Sequence, residues 1–294
     1  MLIDAHVHLL PDRLMAAIRS WFDTHAWDIR YRQGVDENVA MLRAGGVDRM
    51  VALPYAHKPG MARALNDFTR EVADRHPSVV PCCTVFPGED GAESILDEAL
   101  GREGFRGVKI HCHVMRIAPD DARMDPVWRA SARYRKPVVI HCGPEPSIDG
   151  AYGIDTRTVS GAERMSRALS RHPDAIAIVP HLGADEFVQF EALLSRHQNL
   201  HLDTTMAIAG YFEYGPDLEL LRRHPARLLY GTDFPNLPYE WNREWKVIRG
   251  LGLPADDEAR ILGGNAARLF GVSTEPSASA SPDARAGGID GSPA

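Results

Sequence analysis

Ile3-Asp4-Ala5-His6-Val7-His8 reads as a β-strand in which apolar and polar residues alternate. A strand turns every second side chain to the same face, so Asp4, His6 and His8 are expected to point one way and Ile3, Ala5 and Val7 the other. Two imidazoles one strand repeat apart can grip one metal ion, because neutral imidazole is a common ligand for zinc, iron and other divalent metals. Two ordinary strand histidines would look the same in a chain with 13 His. A buried ring needs a hydrogen-bond partner, but not a metal.

Outward from this strand, apolar runs alternate with helix-period segments. The strand candidates are Leu2–His8, Val47–Leu53, Val79–Phe86, Gly107–His111, Pro137–His141, Ala175–His181, Asn199–Thr204 and Arg227–Thr232. Most are β-branched and apolar on both faces, the composition of buried parallel strands. Helices are expected at Glu37–Ala44, Met61–Arg75, Ala92–Leu100, Asp125–Arg133, Gly161–Arg171, Ala184–Arg196 and Asp217–Arg223. Ala44-Gly45-Gly46 supplies a helix-ending glycine, and His76-Pro77 and His172-Pro173 stop helices ahead of strands. Eight strands alternating with helices predict an α/β fold, a (β/α)8 TIM barrel in one domain over residues 1–271. An open doubly wound sheet would want a glycine-rich turn after its first strand, and Leu9-Leu10-Pro11 is not one. Residues 272–294 are expected to form a disordered tail. From Ser273 onward the chain is rich in Ser, Ala, Pro, Gly and Asp, with little apolar surface to offset the entropy of ordering.

The 294 residues are 44% hydrophobic and 25% charged, as in a soluble globular protein with a large core. A net charge of −7 gives no basic field for nucleic acid or an anionic membrane, so neither is expected as a partner. No apolar run reaches the ~18 residues of a spanning helix. Asp4, His6 and His8 interrupt any signal-peptide layout. Cys82, Cys83, Cys112 and Cys142 form no C-x-x-C pair and sit in apolar runs, which predicts buried free thiols and a cytoplasmic protein.

In such a barrel the chemistry sits at the C-terminal ends of the strands. The first strand ends in His6 and His8, the fifth in Ile140-His141, the sixth in Pro180-His181, and the eighth in Gly231-Thr232-Asp233. Four histidines and a carboxylate thus collect at one rim. Imidazole with carboxylate suits Zn2+, Mn2+, Fe2+ or Co2+, with zinc the expected ion.

Asp4-Ala5-His6-Val7-His8, Ile140-His141-Cys142-Gly143, Pro180-His181-Leu182-Gly183, Gly231-Thr232-Asp233-Phe234-Pro235 and the closing Gly263-Gly264-Asn265-Ala266-Ala267-Arg268-Leu269-Phe270 resemble the amidohydrolase superfamily. The nearest branch is the amidohydrolase-related family, which includes aminocarboxymuconate-semialdehyde decarboxylase. The resemblance implies a distorted (β/α)8 barrel and one divalent metal held by His6, His8, His141 and Asp233. It also implies a catalytic His181 beside those ligands.

By alternation Lys109, His111 and His113 of the fourth strand could face the interior. Lys109 could be carboxylated and bridge a second ion. The preferred reading makes it a cation for a substrate carboxylate, with His111 and His113 bonding to substrate. Asp4 is expected to orient a ligand imidazole. Lys58, in the loop Pro54–Met61, and Arg30, in the long connection after the first strand, are candidates to bind a carboxylate-bearing substrate. Trp241 and Trp245, four apart, read as helix packing. With Asp233 and His181 as the catalytic groups, the set serves hydrolysis of a small amide, ester or lactone by a metal-activated water. The same set serves non-oxidative decarboxylation of an unsaturated or aromatic acid. The expected partner is a small molecule, with self-association left open.

Overall fold

The computed structural model describes residues 1–145 and 150–273. Among the described residues nine short strands carry the fold: β1 (Ile3–Val7), β2 (Arg49–Ala52), β3 (Val79–Pro81), β4 (Cys83–Thr84), β5 (Val108–His111), β6 (Val138–His141), β7 (Ala177–Val179), β8 (Leu200–Asp203) and β9 (Leu228–Leu229). Every pairing is parallel, in the orders β1-β2-β3 and β4 through β9. β3 and β4 are one strand interrupted at Cys82. The Cys82 N–H donates to Ala52 on one side and the Cys83 N–H to Gly107 on the other. The ring closes where Ala5 donates to Tyr230, Asp233 to His6 and His8 to Phe234. The eight expected strands are therefore present, and they form the barrel.

The closed ring buries a floor. Ile3, Val51, Leu53, Val80, Val139, Ile178 and Leu229 pack together with Ala266, Leu269 and Phe270 of the C-terminal helix Asn265–Phe270. These apolar residues exclude water below the histidine-bearing strand ends. Outside, the strands meet the helices through a second cluster that includes Val7, Met50, Ala52, Val108 and Ile140.

β1 departs from simple alternation. Asp4 pairs with Met50 and Val7 with Ala52, so Ala5 and His6 together oppose Val51. This is a bulge, one extra residue on one strand. It turns His6 and His8 to the inner side with Ile3 and leaves Asp4 on the outer side with Val7. The expectation that Asp4 shares a face with the two histidines is corrected here: period-two counting fails across the inserted residue.

A helix, Asp12–His25, occupies the stretch expected to be only a long connection. Trp245 lies in the helix Arg243–Gly250, but Trp241 precedes it and instead covers Gly45, where no Cβ would fit. All four cysteines are buried and free. Among the described residues no helix is long and apolar enough to cross a membrane. The tail expected at 272–294 lies outside the described residues from 274 onward.

Candidate metal centre

Beyond the bulge, His6 and His8 are buried at the mouth of the barrel. Nδ1 of His8 is 2.9 Å from the Leu53 carbonyl, and Nδ1 of His6 is 2.9 Å from Asp203 Oδ2. A carbonyl only accepts, so His8 carries a proton on Nδ1, and the Asp203 carboxylate asks the same of His6. A neutral ring then presents a bare lone pair at Nε2. Both Nε2 atoms meet one oxygen: Asp233 Oδ1 is 3.1 Å from that of His8 and 3.3 Å from that of His6. A proton can reconcile one such contact, whereas a cation reconciles all three acceptors at once.

The backbone aims Asp233 at this point. Its N–H donates to the His6 carbonyl at 3.0 Å, and its φ of +77° is left-handed, unusual away from glycine. Two residues earlier, a Cβ on Gly231 would lie 2.5 Å from Thr205 Oγ1 and 2.9 Å from the His6 Cβ. Only glycine lets the segment after β9 come this close to β1. Burial holds the His6 ring well below its ordinary value, so it stays neutral. Burial alone would raise the Asp233 carboxyl, but the contact with His8 and the nearby His6 and His181 outweigh it and hold it below the usual carboxylate range.

Lys109, from β5, is fully buried with Nζ 3.3 Å from His6 Nε2. Burial pulls its ammonium down to about 8, against the attraction of Asp233 and Asp203. His141 ends β6, and its Nδ1 is 3.1 Å from His181 Nε2. His181 begins a run of positive φ that continues through Leu182, Gly183 and Ala184. That run is fixed by His181 donating its N–H to Asp203 Oδ1 at 3.2 Å and by its Nδ1 against the Thr205 carbonyl at 3.0 Å.

His111 pairs with His141 across β5 and β6 and stacks on it, with ring centroids 4.0 Å apart. Glu145 faces the same cluster. Its Oε1 is 2.9 Å from His141 Nε2, its Oε2 is 3.3 Å from His113 Nδ1, and it accepts from the Tyr152 hydroxyl at 2.9 Å. Burial would raise the Glu145 carboxyl, but His141 and His113 outweigh it and hold it ionised. Burial brings His141 down to about 4.

Among the described residues, three sets of side chains bring ligand atoms within 4.8 Å of one another: His6, His8 and Asp233; His141, Glu145 and His181; and His111, His113 and His141. The structure thus gathers three of the four expected ligands, while His141 stands in the neighbouring sets. A cavity joins them, lined by His8, Lys109, His111, His141, Glu145, His181 and Asp233 among others.

Three expectations change. Asp4 does not reach a ligand ring; its oxygens accept from the His6 N–H and from the N–H and hydroxyl of Thr232. Arg30 is exposed and paired with Glu240 at 3.0 Å, and Lys58 is exposed on its loop. Neither lines the cavity, because the connections that carry them turn these side chains to water. Two residues were missed. Asp203 takes the orienting place expected of Asp4, and an acid ending the apolar run Leu200-His201-Leu202 was the available signal. Glu145, four residues after His141, carried no comparable mark.

A family model described as Amidohydrolase matches residues 3–272. No curated protein matches the chain in sequence. Among solved structures, the fold is similar to 5-carboxyvanillate decarboxylase from Sphingomonas paucimobilis, with a TM-score of 0.68 at 20% identity, covering 92% of this chain and 99% of that one. It is similar to 4-oxalomesaconate hydratase from Rhodopseudomonas palustris, with a TM-score of 0.63 at 16% identity, covering 92% and 96%. It is also similar to a zinc-bound amidohydrolase from Burkholderia multivorans, with a TM-score of 0.64 at 16% identity, covering 93% and 100%.

Proposed function

The chain belongs to the amidohydrolase family, and from that premise we propose that it is a zinc-dependent hydrolase of a small amide, ester or lactone. The observation that carries this reading is the convergence of His6 Nε2 and His8 Nε2 on Asp233 Oδ1, at 3.3 and 3.1 Å. Two imidazoles and a carboxylate suit Zn2+, and the carboxylate and carbonyl behind the two rings are the partners that metal-bound histidines ordinarily have. A divalent cation there would acidify a water toward a pKa of ~7 and polarise a substrate carbonyl.

The chain's own groups supply the rest. Asp233 lines the cavity as a carboxylate, able to take a proton from water and return it to the leaving group. His181 carries its proton on Nδ1 and turns Nε2 into the site, where a second proton would let it donate to a developing oxyanion. Lys109 is the cation on the cavity wall able to meet a carboxylate on the substrate near the reacting carbonyl. His111 lines the same cavity on the His141 side, whereas His113, expected to bond to substrate, does not line it and rests against Glu145.

A second cation is the alternative use of His141, Glu145 and His181, whose ligand atoms lie within 4.8 Å of one another; with it His181 binds metal instead of donating a proton. Carboxylation of Lys109, in which its neutral amine adds CO2 and releases a proton, would let it bridge the two ions in place of its role as a cation. A second reaction, decarboxylation, is favoured by the likeness to 5-carboxyvanillate decarboxylase. There the bond to CO2 breaks, its electron pair stays on carbon, and His181 delivers a proton to that carbon.

The test is a panel of lactones, amides and aromatic acids turned over by zinc-loaded protein in 18O-water. Hydrolysis places one 18O in the acid product. Release of CO2 without incorporation rejects hydrolysis in favour of decarboxylation.

A further inference from the structure

The polar cavity borders a second cleft whose walls are of a different chemistry: Trp27, Phe187, Met206, Phe212 and Tyr214. The two spaces share Trp27, Met206, Glu145 and His181, so a molecule seated at His181 reaches both. The walls are assembled, not incidental. Trp27 donates its indole N–H to the Asn236 carbonyl at 2.8 Å, which leaves carbon surface toward the cleft. Phe212 lies 5.8 Å from Trp27 and stacks with Tyr214 at 5.7 Å. Met206 is buried and held at a left-handed φ of +55°, on the line between the two spaces.

Charge sets the other condition. Among the described residues, no Lys or Arg lines the apolar cleft, and Lys109 is the only one that lines the polar side. An anionic group entering the cleft would lose hydration, meet no Lys or Arg among the described residues and pass the Glu145 carboxylate. An uncharged ring or branched chain would exchange water for aromatic and thioether surface.

Resting on the metal-centre reading above, we propose that this cleft is a substrate subsite for an uncharged aryl or branched-alkyl arm, attached to the carbonyl that reacts beside His181. The substrate is then a small carbonyl compound with an apolar arm, and compounds with a second carboxylate at the far end are excluded.

The test uses three hydroxamates that share one metal-binding head, titrated by calorimetry into the zinc-loaded full chain. Acetohydroxamate carries the head alone, phenylacetohydroxamate adds an aryl arm, and succinic monohydroxamate adds a carboxylate arm. Burying a phenyl ring predicts binding about 30-fold tighter than acetohydroxamate, with the carboxylate compound no tighter. Phe212→Ala and Met206→Gln should each bring the aryl-to-methyl ratio below about 5-fold. Equal binding of the aryl and methyl compounds, or preference for the carboxylate arm, overturns the subsite and leaves the metal centre standing. Failure of all three to bind overturns the metal-centre reading and the subsite with it.

Discussion

At the scale of single residues, the site depends on atoms that never touch a substrate. Asp203 receives Nδ1 of His6, the N–H of His181 and the N–H of Thr205, so one buried carboxylate sets two histidines. Asp203→Asn can present an amide N–H to His6 and reverse its tautomer. Zinc affinity, measured by competition with a chelator, should fall 10- to 100-fold, the usual cost of losing such a partner. Unchanged affinity would remove Asp203 from that role. Gly231 tests packing instead. Gly231→Ala places a methyl against Thr205 and the His6 Cβ, with no room on either side. It should lower stability by about 1–3 kcal/mol and lower zinc content in the folded protein, read by thermal melting and elemental analysis.

At the scale of elements, much was legible because chemistry and periodicity coincide. His141 and Asp233 stand where apolar runs end, and in a parallel barrel those ends form one rim. His6 and His8 were readable for the same reason. Asp4 was not, because the bulge that reverses its face is set by pairing with β2, which a local period cannot register. Asp203 meets His6 across 197 residues, so its partner became visible only once the barrel closed. Arg30 and Lys58 were misjudged because the composition of a loop does not say which way its side chains turn. The closing helix offers its own prediction. Phe270 is fully buried in the floor with Ile3 and Val139. Phe270→Ala should cost about 3–5 kcal/mol in denaturant unfolding while leaving zinc bound to the protein that folds.

At the scale of the whole molecule, the acids set a pH dependence. Burial raises Glu244 from 4.5 to about 8, against the hydrogen bond from the Tyr239 hydroxyl at 2.6 Å. The folded state therefore holds this proton more tightly than the unfolded one. Its stabilising contribution is complete below 4.5 and is lost as pH rises through about 8. Glu244→Gln has no proton to lose, so its melting temperature relative to the wild type should climb between pH 5 and pH 8.5. A gap that stays flat would contradict a neutral, buried Glu244. His141 acts in the opposite direction: lowered to about 4, it costs stability as pH falls from 6.5 toward that value. The barrel brings these groups to one mouth, and the central claim is that His6, His8 and Asp233 hold a catalytic cation there. The most direct measurement is the metal content of the purified chain beside His6→Ala and Asp233→Ala, taken with turnover on the same samples. At least one equivalent in the wild type, falling together with activity in both variants, is the predicted result; full metal retention in both, or full activity in metal-free protein, would contradict it.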